Sequence, residues 1–299
     1  MDIISKYIEN ITMWKRGGQR APHKPLLILY ALGKCYRKEN RMIAYSEIDR
    51  ELRKLLIEFG PLRKSYHPEY PFWRLQNDSL WELQGAERVK VRKGNTDAKK
   101  SELLRYGVHG GFTEEIYSQL SNDHNQLFDI AKYVLEVNFP ESVHEDLLQA
   151  VGIDFKNKSP CLKKRDPYFR DRVLKAYEYR CAICGFNVRL GDSLVGLEAA
   201  HIKWHQAGGP DNESNGLALC SLHHRLFDRG VFSLTNSLCV QVSERAHGAS
   251  GFKKWLMAFH SKKIRRPQRR SYYPEDKYIR WHGREVFQGP SRYSSVKRV

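Results

Sequence analysis

No apolar run in the 299 residues approaches the roughly 18 needed to cross a bilayer, which excludes a chain built around a transmembrane helix. The amino terminus, MDIISKYIENITMW, lacks the basic-then-apolar order of a secretory signal and carries acids inside an amphipathic pattern, so a cytoplasmic location is expected. Cysteine is scarce, six in all, and in a reducing compartment these are thiols or metal ligands instead of disulfides. Internal repeats are absent, and the length implies two or three domains. Acidic residues are in deficit, 34 against 51 Lys and Arg, for a formal charge of +17. Such an excess favours a polyanionic partner, because neutralising phosphates releases condensed counterions. What is plentiful is core material: 41% hydrophobic residues with 16 Tyr, 13 Phe and 6 Trp, which excludes global disorder.

The first region opens with a helix pattern at Ile4, Ile8 and Ile11, then the loop KRGGQRAPHKP and an apolar helix from Leu26 to Leu32. Ser46 is placed to cap a third helix that ends before Gly60 and Pro61. In HPEYPFWRLQNDSLWEL, two apolar-aromatic runs flank Asn77-Asp78-Ser79, the pattern of a β-hairpin. Helices followed by a hairpin predict a winged-helix-like domain over 1–112. Residues 113–158 are polar with helical periodicity and predict a helical connector, its last helix ended by Gly152. The third region, 159–299, begins with a helix capped by Asp166 ahead of Pro167 and ends in a basic extension. From His260 onward there are twelve Lys or Arg against three acids, and KKIRRPQRR predicts a phosphate-contacting surface.

Between 181 and 230 two constellations interleave. Cys181 and Cys184 form a C-x2-C, and Cys220 and His223 a C-x2-H. Each short pair can put two soft donors on one ion, and four such donors complete a closed tetrahedral zinc site of structural role. Cys35, Cys161 and Cys239 have no partner at ligand spacing and are expected as buried thiols. The second constellation is AAHI, GGPDNESNG and HHRLFDRG. His201 follows the apolar run LVGLEAA, Asn215 lies 14 residues on, and His224 a further 9. His, Asn, His on strand, loop and helix, bracketed by zinc ligands, resembles the HNH (ββα-metal) endonuclease family over about residues 165–245.

Phosphodiester hydrolysis needs a nucleophile, a Lewis acid and neutralisation of phosphate charge. An imidazole near neutral pKa suits His201 as general base. His224 is the candidate ligand of a single catalytic magnesium or manganese. The resemblance implies that Asn215 holds the loop and orients the His201 ring by a hydrogen bond. Many relatives carry an acid immediately before the base, where this chain has Ala200. Glu198, two residues earlier, or Asp228, one helical turn after His224, are the alternatives for the missing oxygen.

RAPHKPLLIL and HPEYPFWRL resemble the sulfur-binding domains of restriction enzymes that recognise phosphorothioated DNA, over about residues 10–115. A sulfur in place of a phosphate oxygen is larger and more weakly hydrated, so an apolar pocket flanked by cations would prefer it. Tyr70 and Pro71 are candidate walls, Arg20, His23 and Lys24 candidate donors, and Arg74 and His109 further candidates. The alternative for Tyr70, Pro71, Phe72 and Trp73 is hairpin core, and for Gly110-Gly111 a flexible turn. The whole predicts an α+β protein: a winged-helix-like reader, a helical connector and a zinc-stabilised HNH nuclease domain. The implied function is a type IV-like, modification-dependent restriction endonuclease acting on double-stranded, phosphorothioated DNA, as a possible homodimer. Three alternatives stay open: an HNH nuclease that reads methylated or otherwise modified bases, a zinc-containing DNA-binding regulator without catalysis, and an RNA nuclease, since basic charge does not separate RNA from DNA.

Overall fold

A computed structural model describes residues 21–92, 97–154, 166 and 168–292. The expected first helix, Arg20, Cys161 and Pro167 lie outside the described residues. The chain divides into two compact units, Met1–Pro160 and Cys161–Val299, each with mixed helix and sheet. Among the described residues no helix is long and apolar enough to cross a membrane.

The first unit is built around α1 (His23–Tyr36), whose Leu26, Leu27, Leu29 and Leu32 are all fully buried. A helix apolar on every side must be covered on every side. Four helices and a short turn of helix surround it: α2 (Tyr45–Phe59), α3 (Glu69–Arg74), α5 (Glu114–Asn122), α6 (His124–Asn138) and α7 (His144–Val151). A three-stranded antiparallel sheet in the order β1-β3-β2 completes the unit, from β1 (Ile43–Ala44), β2 (Trp81–Gln84) and β3 (His109–Phe112). The small helix α4 (Lys100–Arg105) precedes β3.

The expected hairpin over 70–83 does not form. Its first run is helix α3, followed by a 3-10 turn over Leu75–Asp78, and only Trp81–Gln84 is a strand. Phe72 and Leu75, three apart, both point into the core, so the period is helical. Pro71 is tolerated because first-turn amides need no partner within the helix. The partner of β2 is the distant β3, pairing Trp81 with Phe112 and Gln84 with His109. Gly110 and Gly111 are the middle of that sheet, not a turn: a Cβ on Gly111 would lie 2.1 Å from the Arg41 carbonyl oxygen. Helix α2 starts at Tyr45 with Ala44 at the cap position, so Ser46 lies inside its first turn. The segment 113–158, read as a connector, packs α5, α6 and α7 on α1, and its Ile116, Leu127, Ile130 and Leu147 share the core with Leu26 and Ile28. Gly152, left-handed at φ +72, ends α7.

The second unit begins with α8 (Phe169–Ala176), whose entry is set by Asp166, which accepts from the Tyr168 amide at 2.9 Å. A tight knuckle holds Cys181 to Gly185, and β4 (Val188–Leu190) and β5 (Ser193–Val195) form an exposed hairpin. Then come β6 (Leu197–His201) and β7 (Gly216–Cys220), antiparallel with His201 opposite Gly216, and α9 (Ser221–Asp228) directly after. This is the ββα order. The strands β8 (Phe232–Leu234) and β9 (Val240–Val242), the short α10 (Ser250–Trp255) and α11 (Asp276–Glu285) complete the unit.

Candidate active site and metal centre

The donor atoms of Cys181, Cys184, Cys220 and His223 all lie within 4.8 Å of one another, the one such Cys/His cluster among the described residues. Cys184 Sγ is 4.0 Å from Cys220 Sγ, and His223 Nδ1 is 3.7 Å from Cys181 Sγ and 3.1 Å from Cys220 Sγ. Metal–sulfur bonds of about 2.3 Å set tetrahedral sulfurs about 3.8 Å apart, so the donor set fits one ion. His223 Nε2 lies 2.8 Å from the Trp255 carbonyl, which takes its proton and turns Nδ1 inward. Hydrogen bonding from Cys184, Cys220 and His223 drives the Cys181 thiol well below its ordinary range, the state a metal needs. The knuckle supplies one pair of ligands, and the end of β7 with the first turn of α9 supplies the other.

His201, on the last residue of β6, is held from two sides. Its Nε2 is 2.7 Å from Asp211 Oδ1, and its ring stacks on Phe169 at 4.0 Å with planes 13° apart. Asn215 bonds to the backbone of the following loop. Its amide oxygen accepts from the Lys203 amide at 2.8 Å, and its amide nitrogen donates to the carbonyls of Lys203 at 3.0 Å and Pro210 at 2.9 Å. Asn215 is fully buried, so it is the fixed post around which the loop 203–210 is tied. That loop delivers Asp211 to His201.

His224 is clasped on both edges. Nδ1 lies 2.6 Å from Glu198 Oε2 on β6, and Nε2 lies 3.0 Å from Asp228 Oδ2 one turn along α9. Burial alone would lower its pKa, but the charge and hydrogen bond of Asp228 and the bond to Glu198 outweigh this and push it up to about 10. The hydrogen bond to His224 holds Glu198 below the usual carboxylate range. The two carboxylates differ in access, Glu198 being 44% exposed and Asp228 only 2%. Trp204 Nε1 donates to Asp228 Oδ1 at 3.1 Å, which ties the segment after His201 to the helix of His224.

In the first unit, Tyr70 is enclosed by cations and by His67. Its ring stacks on His67 at 4.9 Å, Arg74 and Arg92 lie over it at 5.0 and 5.3 Å, and Arg92 Nη1 donates to its hydroxyl at 2.9 Å. Arg74 is fixed by two bonds to buried Asp97, at 2.7 and 2.6 Å. Burial, with the charges of His67 and Arg63 next, lowers the pKa of His23 to about 4, Glu69 opposing, so the ring is neutral. Lys24 is engaged by Asp78, Pro71 is buried, and His109 sits on β3 between Ala44 and Gln84. His23, His67, Tyr70, Arg74 and Arg92 are therefore one neighbourhood, while the structure gives Lys24 an internal acidic partner.

Residues 1–156 match the family model for the ScoMcrA-like DNA sulfur-binding domain, and residues 181–235 match the HNH endonuclease model. The first match spans more than half of the chain. The chain belongs to the ScoMcrA-like sulfur-binding family. The second match gives this family member an HNH endonuclease domain, and the chain is a DNA endonuclease. Similar solved folds include the sulfur binding domain of ScoMcrA complexed with phosphorothioated DNA, at 20% identity over 51% of this chain and 97% of that one, TM-score 0.46. The sulfur binding domain of SprMcrA complexed with phosphorothioated DNA is 21% identical over 50% of this chain and 92% of that one, TM-score 0.42. The Type IV phosphorothioation-dependent restriction endonuclease ScoMcrA is 20% identical over 55% of this chain, which spans 37% of it, TM-score 0.45. No curated protein matches.

Asp211, Phe169, His67 and Arg92 were not among the residues expected from the sequence, whereas Glu198 was one of two alternatives. Asp211 had a signal, standing in GGPDN between the two halves of the motif. His67 likewise stands at the head of HPEYPFWRL, whereas Phe169 and Arg92 had no signal, because each reaches its partner only through the fold.

Proposed function

We propose that this endonuclease binds phosphorothioated DNA through its first unit and hydrolyses phosphodiester bonds nearby with the ββα site of its second. One observation carries the reading: a sulfur-binding family match and an HNH match lie in one chain, and the HNH residues hold an ordered base and a candidate ion site. Asp211 accepts the proton of His201 Nε2, so the tautomer with a basic Nδ1 is favoured and the Phe169 face fixes the ring plane. His201 Nδ1 takes a proton from water as the water oxygen bonds to phosphorus, and the P–O bond to the leaving oxygen breaks. A proton from solvent completes the leaving hydroxyl.

Glu198 and His224 are the residues that would hold the catalytic divalent ion. A hard ion that keeps several waters and takes substrate oxygens needs few protein donors and access to solvent, which Glu198 has and buried Asp228 lacks. Asp228 fits the outer role, a carboxylate that accepts from the ligating imidazole and fixes its rotation. When bound, magnesium or manganese supplies Lewis acidity towards the scissile phosphate and the leaving oxygen. The Cys/His cluster would hold zinc, whose preference for four S and N donors it matches, with no position left for water. In the reader, the Tyr70 ring with Arg92 and Arg74 around it offers an apolar wall beside fixed positive charge, the two properties a phosphorothioate rewards. His23 and His109 stay candidates for phosphate contact, Arg20 stays a candidate from the sequence, and buried Pro71 can serve only as backing for Tyr70. Cutting both strands with one ion per site takes two sites or two successive nicks, which favours a homodimer on DNA.

The test is cleavage of two matched duplexes, phosphorothioated and plain, in magnesium or manganese, beside His201→Ala. Selective cutting of the modified duplex is expected, with the variant slower by about 10²- to 10⁴-fold. Equal cutting of both duplexes would remove the sulfur reader. Tight binding without cutting, in protein with its metal intact, would instead favour the regulator.

A further inference from the structure

The basic extension is not a loose tail over 262–273. It runs as a strap across the second unit, fixed by its own backbone. Val240 and Ile264 amides donate to Lys262 and Leu238 carbonyls at 2.9 and 3.0 Å, and Cys239 bridges to Lys263, so the strap adds to the edge of β9. Further on, the Arg265 amide donates to Ala182 at 2.8 Å, inside the metal knuckle, and the Gln268 amide to Ala176 at 2.9 Å, at the end of α8. The strap is thus anchored to the element that carries Cys181 and Cys184.

Between the strap and the β8–β9 turn lies a cavity of about 310 Å³, lined by Lys263, Arg266 and Arg270, with Tyr273, Ser237 and Asn236 among the other walls. All three cations are exposed. Among the described residues none of them forms an ion pair. The acids that follow in the chain are already engaged: Glu275 pairs with Lys277 and accepts from Ser214, and Asp276 lies 3.6 Å from Arg280. Three like charges therefore border one small concavity on a fixed backbone. That arrangement suits an anion, and the hydroxyls of Ser237 and Tyr273 and the amide of Asn236 add donors.

We propose that this cavity is a backbone-binding site for DNA, taking phosphates of the duplex at a place separate from the HNH residues. It rests on the reading of the chain as a DNA nuclease. A polyanionic strand is the occupant because the chain is a DNA endonuclease and the strap that supplies the three cations also carries Arg265 and Arg269. The contacts carry no sequence information and add affinity and register for cleavage.

The test measures binding of the full-length protein to an unmodified fluorescent duplex, with calcium replacing magnesium to prevent cutting, over a series of salt concentrations. Lys263→Gln with Arg266→Gln and Arg270→Gln should make the plot of log Kd against log salt shallower by about 2 to 3, and Arg266→Lys with Arg270→Lys should keep the wild-type slope. If the triple variant melts below wild type, Arg270→Gln alone reads the same quantity, with an expected loss of about 1. An unchanged slope in a folded variant overturns the proposal. So does displacement by inorganic phosphate at constant ionic strength without any change of slope, which would mark a site for free anions. Magnesium-dependent cutting of a phosphorothioated duplex by the wild type is measured in parallel. Its failure counts against the proposed function, whereas an unchanged slope in protein that does cut counts against the cavity alone.

Discussion

The two units solve the same problem of stability in different ways. The first closes a continuous apolar core around α1, with Leu26, Leu27, Leu29, Leu32, Ile48, Leu52 and Phe72 all fully buried. The second assembles short elements around β6, β7 and α9, and joins its knuckle to that hairpin through the donors of a Cys/His cluster. Burial of aliphatic side chains is non-directional and tolerates local change, whereas a four-ligand site is lost with any one ligand. The reader should therefore fail gradually, and the nuclease at once.

The largest test of that contrast is metal removal. Chelation, or Cys184→Ser, should abolish the thermal transition of the second unit and leave that of the first, as binding of a structural zinc is worth about 10 kcal/mol or more. Calorimetry with metal analysis checks this, and two unchanged transitions with no bound metal would break the comparison. Acid should weaken the first unit as well. His23 has a folded pKa lowered to about 4 from 6.5 by burial and by neighbouring positive charge, so its contribution is complete above pH 6.5 and lost as pH falls towards 4. The first unit should lose up to about 3 kcal/mol over that window, and His23→Gln should flatten the slope. Chemical denaturation at a series of pH values, read by a probe confined to the first unit, measures it.

Smaller effects separate roles within each site. Asp228→Asn should raise the magnesium needed for half-maximal cleavage by about 10- to 100-fold if Asp228 orients His224 from behind. Glu198→Gln should raise it further, and the opposite ranking would exchange their roles. In the reader, Tyr70→Ala should cost about tenfold in preference for phosphorothioated over plain duplex, equal to about 1.4 kcal/mol, with binding to plain DNA little changed. Competition binding reads that ratio directly.

The nuclease half was the more legible in sequence because chelation and hydrogen bonding act at short, fixed spacings. C-x2-C and C-x2-H can reach one ion only through a tight turn or a helix start, and the knuckle and α9 provide them. The reader half was misread where local pattern and tertiary context compete. Aromatic residues at 70–73 favour a strand by propensity, yet the inward pair Phe72 and Leu75 and the need to cover α1 select a helix. Asn215 was identified as a site residue, and its bonds run to backbone groups of the loop 203–210, a placement no local pattern gives, while Asp211 meets His201.

By itself the sequence marked a boundary near residue 158, the strand, loop and helix order, the four soft donors and two candidate histidines. Composition, period and short spacings are local properties, and local properties survive in a one-dimensional record. The tertiary structure alone decided that β2 pairs with β3, that Phe169 and Asp211 hold His201, and that Glu198 faces solvent while Asp228 is buried behind His224. It also decided that the basic strap lies fixed against the knuckle. Each of these joins residues far apart in the chain or ranks two equivalent side chains by access to water, and both depend on packing that no local pattern encodes.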